Sequence, residues 1–412
     1  MKKLPGCFFF FLLLGVIPCR GQHAPAFSML QSYFHQKVDE GQLAGTVMLL
    51  AKNGKTWVDA YGMQNIEENV AMQSNTLFRL ASMTKPIVSV AVMTLVEEGK
   101  MTLEDPVDRY IPDFQKVRVA GLDTMAPLER SLTIRDLLTH TGGITSEFDP
   151  SPAGAACRKT FREHRPASLA ELVGMVTELP LAHQPGEGWT YSLSTDVLAY
   201  IVEIVSGKPI AVFLKEKLFN PLKMGDTGFE VSADKVNRLA SVYGADDQGK
   251  LQLKEAPANS PCVNGKNFPR GNGGLVSTAG DYLRFCTMLL NKGELDGVRI
   301  LKPETVQEMM RNQLPPDMAP LTKGLPAICY GFGYGFGVQT EKVVAGSPGD
   351  CLWPGAYMTY FFIDPGHNGI GIFMTQVTDF SKMPFLVAFH SLASKAILED
   401  AFYQHNNLIP RQ

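Results

Sequence analysis

The chain contains no C-x-x-C pair, no H-x-H or H-x-x-x-H pair and only eight histidines in 412 residues. The ligand spacings of the common zinc sites are therefore missing, and no metal or other cofactor is expected unless distant segments assemble one. A basic excess is also missing, since 38 Lys and Arg against 41 Asp and Glu leave a formal charge of −3. No Lys/Arg cluster runs longer than a few residues, which argues against a nucleic-acid partner. There is no fixed-period repeat, no low-complexity tract and no Ser/Pro-rich linker after residue 25. Beyond the N-terminus no stretch is long and apolar enough to anchor in a membrane. What the chain does have is 45% hydrophobic residues, enough at this length for a large core.

The N-terminus reads as a targeting segment. Lys2 and Lys3 precede an apolar run from Cys7 to Ile17, and Cys19-Arg20-Gly21 gives a small-x-small pattern. The reading is a signal peptide over 1–21, cleavage before Gln22, and a single domain over 22–412 in a secreted or periplasmic protein. A rival reading makes Cys19 a lipoprotein cysteine, but Ile17-Pro18 lacks the small residues that precede one. Cleavage leaves Cys157, Cys262, Cys286, Cys329 and Cys351, an odd and widely spaced set. Buried thiols with at most one pair are expected, not a disulfide framework.

Phe27, Leu30, Phe34 and Val38 recur at helical spacing up to Gly41, and two β-rich runs flank the turn signal Asn53-Gly54. A helix follows from Met83 to about Gly99. From about 103 to 278 the pattern is helical and loop-rich, with a capping-box start at Ser168–Glu171 and a helix over 194–206 that Ser194 is expected to cap. Strand-like runs return at "YGFGVQ" from Tyr334, "YMTYFFID" from Tyr357 and "GIGIFMTQ" from Gly369, before a helix from about Met383 to Phe402. The expected fold is α/β of the α+β kind. One antiparallel sheet is flanked by N- and C-terminal helices, with a mostly helical lobe inserted over roughly 103–278.

In "FRLASMTKPIVSVAVM" Ser82 and Lys85 share a helix face. The helix is apolar nearly all round, so it is buried, and Pro86 places its start near Ser82. Lys85 precedes that proline, a position that disfavours helical geometry. One reading makes Ser82 a helix cap beside a snorkelling lysine. The other makes Ser82 a nucleophile and Lys85 its base, which needs the lysine pKa lowered by roughly three, about 4 kcal/mol. Burial and the positive helix end both act in that direction. Tyr191, in the Gly-rich loop "PGEGWTYS", is either a packing aromatic or the proton shuttle such a site requires.

At these residues the chain resembles the penicillin-binding, serine β-lactamase-like family, and within it class C β-lactamases and family VIII carboxylesterases. The resemblance rests on "FRLASMTKP", "LVEEGKMTLEDPV", "LTIRDLLTHTGG", "PGEGWTYS", "GGLVSTAGDYLRF" and "GYGFGV", in the family's order and over nearly all of the mature chain. It implies Ser82 as acylated nucleophile, Lys85 as its base partner and Tyr191 as the shuttle that deprotonates Ser82 and protonates the leaving group. The place of the family's K-T-G or H-T-G strand is taken by Trp353-Pro354-Gly355, and the amides of Ala356 and Ser82 would form the oxyanion hole. Pro354 gives no ladder N–H, so an edge strand or a strand's start is expected there.

Two departures carry information. Leu193 replaces the asparagine that usually follows the tyrosine by two, and Trp353 replaces a cation with an apolar face. Both disfavour anionic β-lactams and peptide tails and look like the esterase branch. The expected activity is an exported serine hydrolase of carboxylic esters, with a small-molecule ester or acyl substrate. Alternatives are a β-lactamase or D,D-peptidase, an acyltransferase, and a penicillin-binding module without turnover. A competing nucleophile, Ser347 in Ala345–Gly349, would need Asp364 with His367 or His390, but it lacks the strand-to-helix turn of a nucleophile elbow. His140, before two glycines, is read as a histidine at a helix C-terminus.

Overall fold

The computed structural model describes residues 25–121, 124–263, 265, 267–316, 318, 331–340 and 345–399. The leader reading over 1–21, Cys19, Cys329 and the last turn of the expected C-terminal helix lie outside the described residues.

In chain order, α1 (Pro25–Asp39) leads into β1 (Gly45–Lys52), β2 (Lys55–Asn65), β3 (Val70–Ala71) and β4 (Phe78–Arg79), and then α2 (Thr84–Glu97). The middle of the chain carries β5 (Arg118–Ala120), β6 (Met125–Pro127), α3 (Ile134–Thr139), α4 (Pro152–Glu163), α5 (Leu169–Thr177), α6 (Ser194–Ser206) and α7 (Ile210–Leu214). Then come β7 (Val242–Ala245), β8 (Leu251–Glu255), β9 (Val276–Ser277), α8 (Ala279–Leu290), β10 (Glu294–Leu295), β11 (Val298–Arg299) and α9 (Pro303–Met309). The chain closes with β12 (Gly331–Phe332), β13 (Gly337–Val338), β14 (Cys351–Pro354), β15 (Tyr360–Asp364), β16 (Gly369–Met374) and α10 (Met383–Leu398).

One eight-stranded antiparallel sheet runs β12-β13-β14-β15-β16-β1-β2-β3, so early and late strands meet where β1 pairs with β16. The β1–β2 hairpin turns at Asn53 (φ +49) and Gly54 (φ +80), the two left-handed residues such a turn requires. Alternation along β15 places helices on both faces. Phe362 packs against Phe389 of α10, while its neighbour Phe361 packs against Tyr282 of α8. Phe34 of α1 and Phe389 both meet Phe373, so α1 shares the α10 face. No single helix among the described residues is long and apolar enough to cross a membrane.

Several local expectations change. The run from Tyr334 is not one strand, because Gly335 turns with φ +95 between β12 and β13. A β-carbon there would stand 2.1 Å from Ser89 Oγ of α2, so the chain bends where only glycine fits. Likewise Tyr357–Thr359 is turn, and the strand starts at Tyr360. Ser194 does not cap α6: the N-cap is Leu193, and Ser192 Oγ accepts the Ser194 amide at 3.0 Å. Between 103 and 278 the helices are joined by small two-stranded sheets, β5–β6 and β7–β8, that were too short to read from periodicity. Ser168 does cap α5, accepting the Glu171 amide at 3.1 Å.

Candidate active site

Ser82 sits in a 3-10 turn, Ala81–Met83, that runs directly into α2. No side chain caps α2, whose N-cap is Met83, so the Ser82 hydroxyl is not spent on the helix end. Lys85 Nζ donates to it at 3.2 Å. Pro86 is the third residue of α2, where an N–H would have no intrahelical partner in any case; Lys85 keeps helical geometry before it.

Two contacts hold the turn in place. Ala81 has φ +47, costly for a residue with a β-carbon, and Gly273 packs close enough that a β-carbon on it would lie 3.4 Å from the Ala81 carbonyl carbon. On the other side Thr359 Oγ1 donates to Leu80 O at 3.1 Å.

Lys85 is 1% exposed. Its Nζ makes a second bond to Asn272 O at 2.8 Å and stands 4.5 Å from the centroid of the Tyr191 ring. Burial lowers its pKa to about 7, Asp196 opposing the shift and Arg270 adding to it. Burial pushes the half-buried Tyr191 phenol the other way, up to about 12, with hydrogen bonds to Ser82 and Trp353 opposing. At neutral pH the site thus pairs an amine that readily loses its proton with a phenol that keeps one.

Behind Tyr191 stands an aromatic wall. Trp353 Nε1 donates to Tyr191 Oη at 3.1 Å, and the ring centroids of Trp353 and His140 both lie 5.2 Å from that of Tyr191. Trp353 is only 1% exposed, so its indole supports the phenol from behind; the sequence suggested an apolar face toward substrate. Leu193 is likewise buried, at the head of α6. His140 does sit at the end of α3, but in a left-handed conformation (φ +59), and its buried ring takes Ser192 Oγ at 3.0 Å. Burial and the nearby Lys85 hold its imidazole well below the usual range, so it is neutral.

Strand β14 ends in Trp353-Pro354. It lies inside the sheet, yet β13 pairs only with Cys351 and Leu352, so the outer side of Trp353 and Pro354 is unpaired. The missing proline N–H therefore costs no ladder bond, although the strand is interior rather than an edge. Gly355 N donates to Thr359 O at 2.7 Å, and a β-carbon on Gly355 would stand 2.4 Å from Leu80 O, so the turn that carries exposed Ala356 starts against the residue that leads into the serine turn. Among the described residues neither the Ser82 nor the Ala356 amide donates to another backbone group.

Sequence reasoning missed a polar layer beneath the site. Asp196, fully buried on α6, accepts from Asn272 N at 2.9 Å and Arg270 Nη2 at 2.8 Å. The only signals were a carboxylate in the first turn of α6, ahead of its apolar run, and the glycines of "RGNGG". Ser347, by contrast, has no triad. Asp364 pairs with His367 in the β15–β16 turn, and the two ring nitrogens of His390 are engaged by Asp350 and Tyr360. Among the described residues no group of His, Cys, Asp or Glu is arranged for a metal ion. Cys157, Cys262, Cys286 and Cys351 are buried free thiols.

Comparison with known proteins finds relatives along most of the chain. The family model described as Beta-lactamase matches residues 30–388. An uncharacterized protein of Mycobacterium tuberculosis is 38% identical over 84% of this chain and 89% of its own length. Esterase EstB of Burkholderia gladioli is 32% identical over 86% of this chain and 91% of its own. Among solved structures, EstCE1, described as a hydrolase with promiscuous acyltransferase activity, superposes with a TM-score of 0.76 at 24% identity, covering 92% of this chain and 98% of that one.

Proposed function

The chain belongs to the beta-lactamase family and is a serine hydrolase, and we propose that it cleaves carboxylic esters through an acyl-Ser82 intermediate. The observation that carries this reading is the buried Lys85 amine within hydrogen-bond reach of Ser82 Oγ. Neutral Lys85 accepts the Ser82 proton as Oγ attacks the ester carbonyl carbon. The carbonyl oxygen, now anionic, is met by the free amides of Ser82 and Ala356. Tyr191, protonated at neutral pH, donates its Oη proton to the leaving alcohol and is reprotonated from Lys85. Water then attacks the acyl group by the reverse path, releasing the carboxylic acid and restoring Ser82.

The ester assignment is supported by the relationship to EstB and by Leu193 and Trp353, which remove the amide and the cation suited to β-lactam and peptide substrates. A panel of p-nitrophenyl esters of short to medium acyl length, run beside nitrocefin and a D-Ala-D-Ala peptide, tests it. Ester turnover that falls at least about 10³-fold in Ser82→Ala is expected; fast nitrocefin hydrolysis with negligible ester cleavage would overturn it. A fluorophosphonate that fails to label Ser82 would favour a binding module without turnover. Because EstCE1 is described as having acyltransferase activity, the same panel with added alcohol reads the partition between water and alcohol as acceptor. We also infer export, from the leader-like segment 1–21; the N-terminal mass of the protein recovered from cells, starting at Gln22, checks it.

A further inference from the structure

We propose that Asp196 is a positioning residue for this site: strung between Arg270 and the Asn272 amide, its carboxylate holds the Asn272 carbonyl on Lys85 and, with Arg270, sets the electrostatic balance at that amine. The inference rests on the Ser82–Lys85 reading above and adds a residue pair to which no reaction step has been assigned.

The geometry is a relay of fixed bonds. Oδ1 of Asp196 takes Asn272 N at 2.9 Å, and the same residue's carbonyl takes Lys85 Nζ at 2.8 Å. The loop that links them has no slack. A β-carbon at Gly271 would stand 2.2 Å from Thr195 O and 2.6 Å from Ala199 Cβ of α6, so the loop backbone lies directly on the helix carrying Asp196. Gly273, two residues on, rests against Ala81 beside the nucleophile. One carboxylate thus fixes both the lysine's acceptor and the loop that backs the strained serine turn.

The charges are arranged as carefully as the bonds. A fully buried carboxylate needs a partner, and Arg270 Nη2 supplies it at 2.8 Å. Seen from Lys85, the two members of this pair act in opposite directions, the anion favouring the ammonium form and the cation the neutral amine. The other polar or titratable groups facing Lys85 are Ser82, Tyr191 and neutral His140. Glu147 and Cys157 lie near Arg270 and complete the surroundings of the pair.

A merely structural ion pair would lower activity in both single variants and leave the pH profile where it was. A positioning pair moves the profile, and moves it in opposite directions. Asp196→Asn keeps an acceptor for the Asn272 amide but removes the anion, so the acid limb of kcat/KM for p-nitrophenyl acetate should shift down by about 0.5–1 pH unit. Arg270→Met removes the cation and should shift that limb up by a similar amount. Arg270→Lys should restore the wild-type limb. The same shifts should appear in the pH dependence of the rate at which a fluorophosphonate labels Ser82, counted only on protein with a native unfolding transition. Both limbs moving the same way, or neither moving, in folded and labelled variants overturns the proposal. Absence of labelling in the wild-type protein would instead strike the acyl-Ser82 reading itself.

Discussion

Lys85 shows what the site costs. An amine held at a pKa of about 7 is destabilised in the folded chain relative to an ordinary lysine near 10.5. Below pH 7 both folded and unfolded states carry the proton, and the full cost is present. Between 7 and 10.5 only the unfolded state binds it, so stability rises with pH across that window. Lys85→Met, of similar volume and uncharged, should therefore abolish ester turnover yet stabilise the protein by on the order of 1–3 kcal/mol at pH 6.5. Urea unfolding of both proteins at that pH checks this, and a destabilised variant would count against a strained lysine. For the wild type, kcat/KM should climb with pH around 7 as Lys85 becomes neutral, with no matching change from Tyr191 until far higher pH. The three-residue spacing put Ser82 and Lys85 on one helix face, but left a cap and a nucleophile both open. Tyr191 joined them only through the family resemblance of "PGEGWTYS", because a loop tyrosine before a helix carries no signal of its own. Asp196 was not legible as part of the site, since its partner Asn272 lies 76 positions away and Lys85 reaches across 187 to that same residue. No periodicity announces a contact of that range.

At the scale of elements, β14 and the turn after it carry the oxyanion side of the site. Gly355 is wedged in this turn: a β-carbon would stand 2.0 Å from Thr359 Oγ1 and 2.4 Å from Leu80 O. Gly355→Ala must push the Ala356 turn away from the serine turn. We expect about 10–100-fold lower kcat with little change in KM, and a loss of about 1–3 kcal/mol in stability. Unfolding midpoints and ester kinetics on the purified variant read both; unchanged kcat would separate this turn from the reaction. The sequence marked the strand here through Pro354, but not its interior position. Whether a neighbouring strand runs two residues or four decides which N–H groups are needed, and β13 stops after two. Longer elements were legible for the opposite reason, α1 by its helical repeat, the β1–β2 hairpin by its Asn53-Gly54 turn, and α2 by a long apolar run that starts at Pro86.

For the whole molecule, acid is the revealing stress. His140 is buried, neutral and held well below the usual imidazole range, so as pH falls below about 6.5 the unfolded chain takes a proton that the folded chain refuses. Stability should decline by up to about 1.4 kcal/mol per pH unit below that point. Asp136, lowered by its Arg130 and Thr133 partners against burial, adds a loss further down, below the ordinary carboxylate range. Urea midpoints at pH 7.0, 6.0 and 5.5 should fall in order, and a flat series would mean that His140 accepts the proton in place. The overall architecture was legible from the order of its parts: strands, then a long helical middle, then strands again. That order has a kinetic meaning. Thr375 Oγ1 donates to Gly45 O across 330 positions, beside the β1–β16 seam that joins the sheet. The hairpin at the start of the chain therefore leaves the ribosome with an unpaired edge and must wait for nearly the last residues before its central neighbour exists. Closing a loop of that length is slow, so the sheet is sealed late in folding.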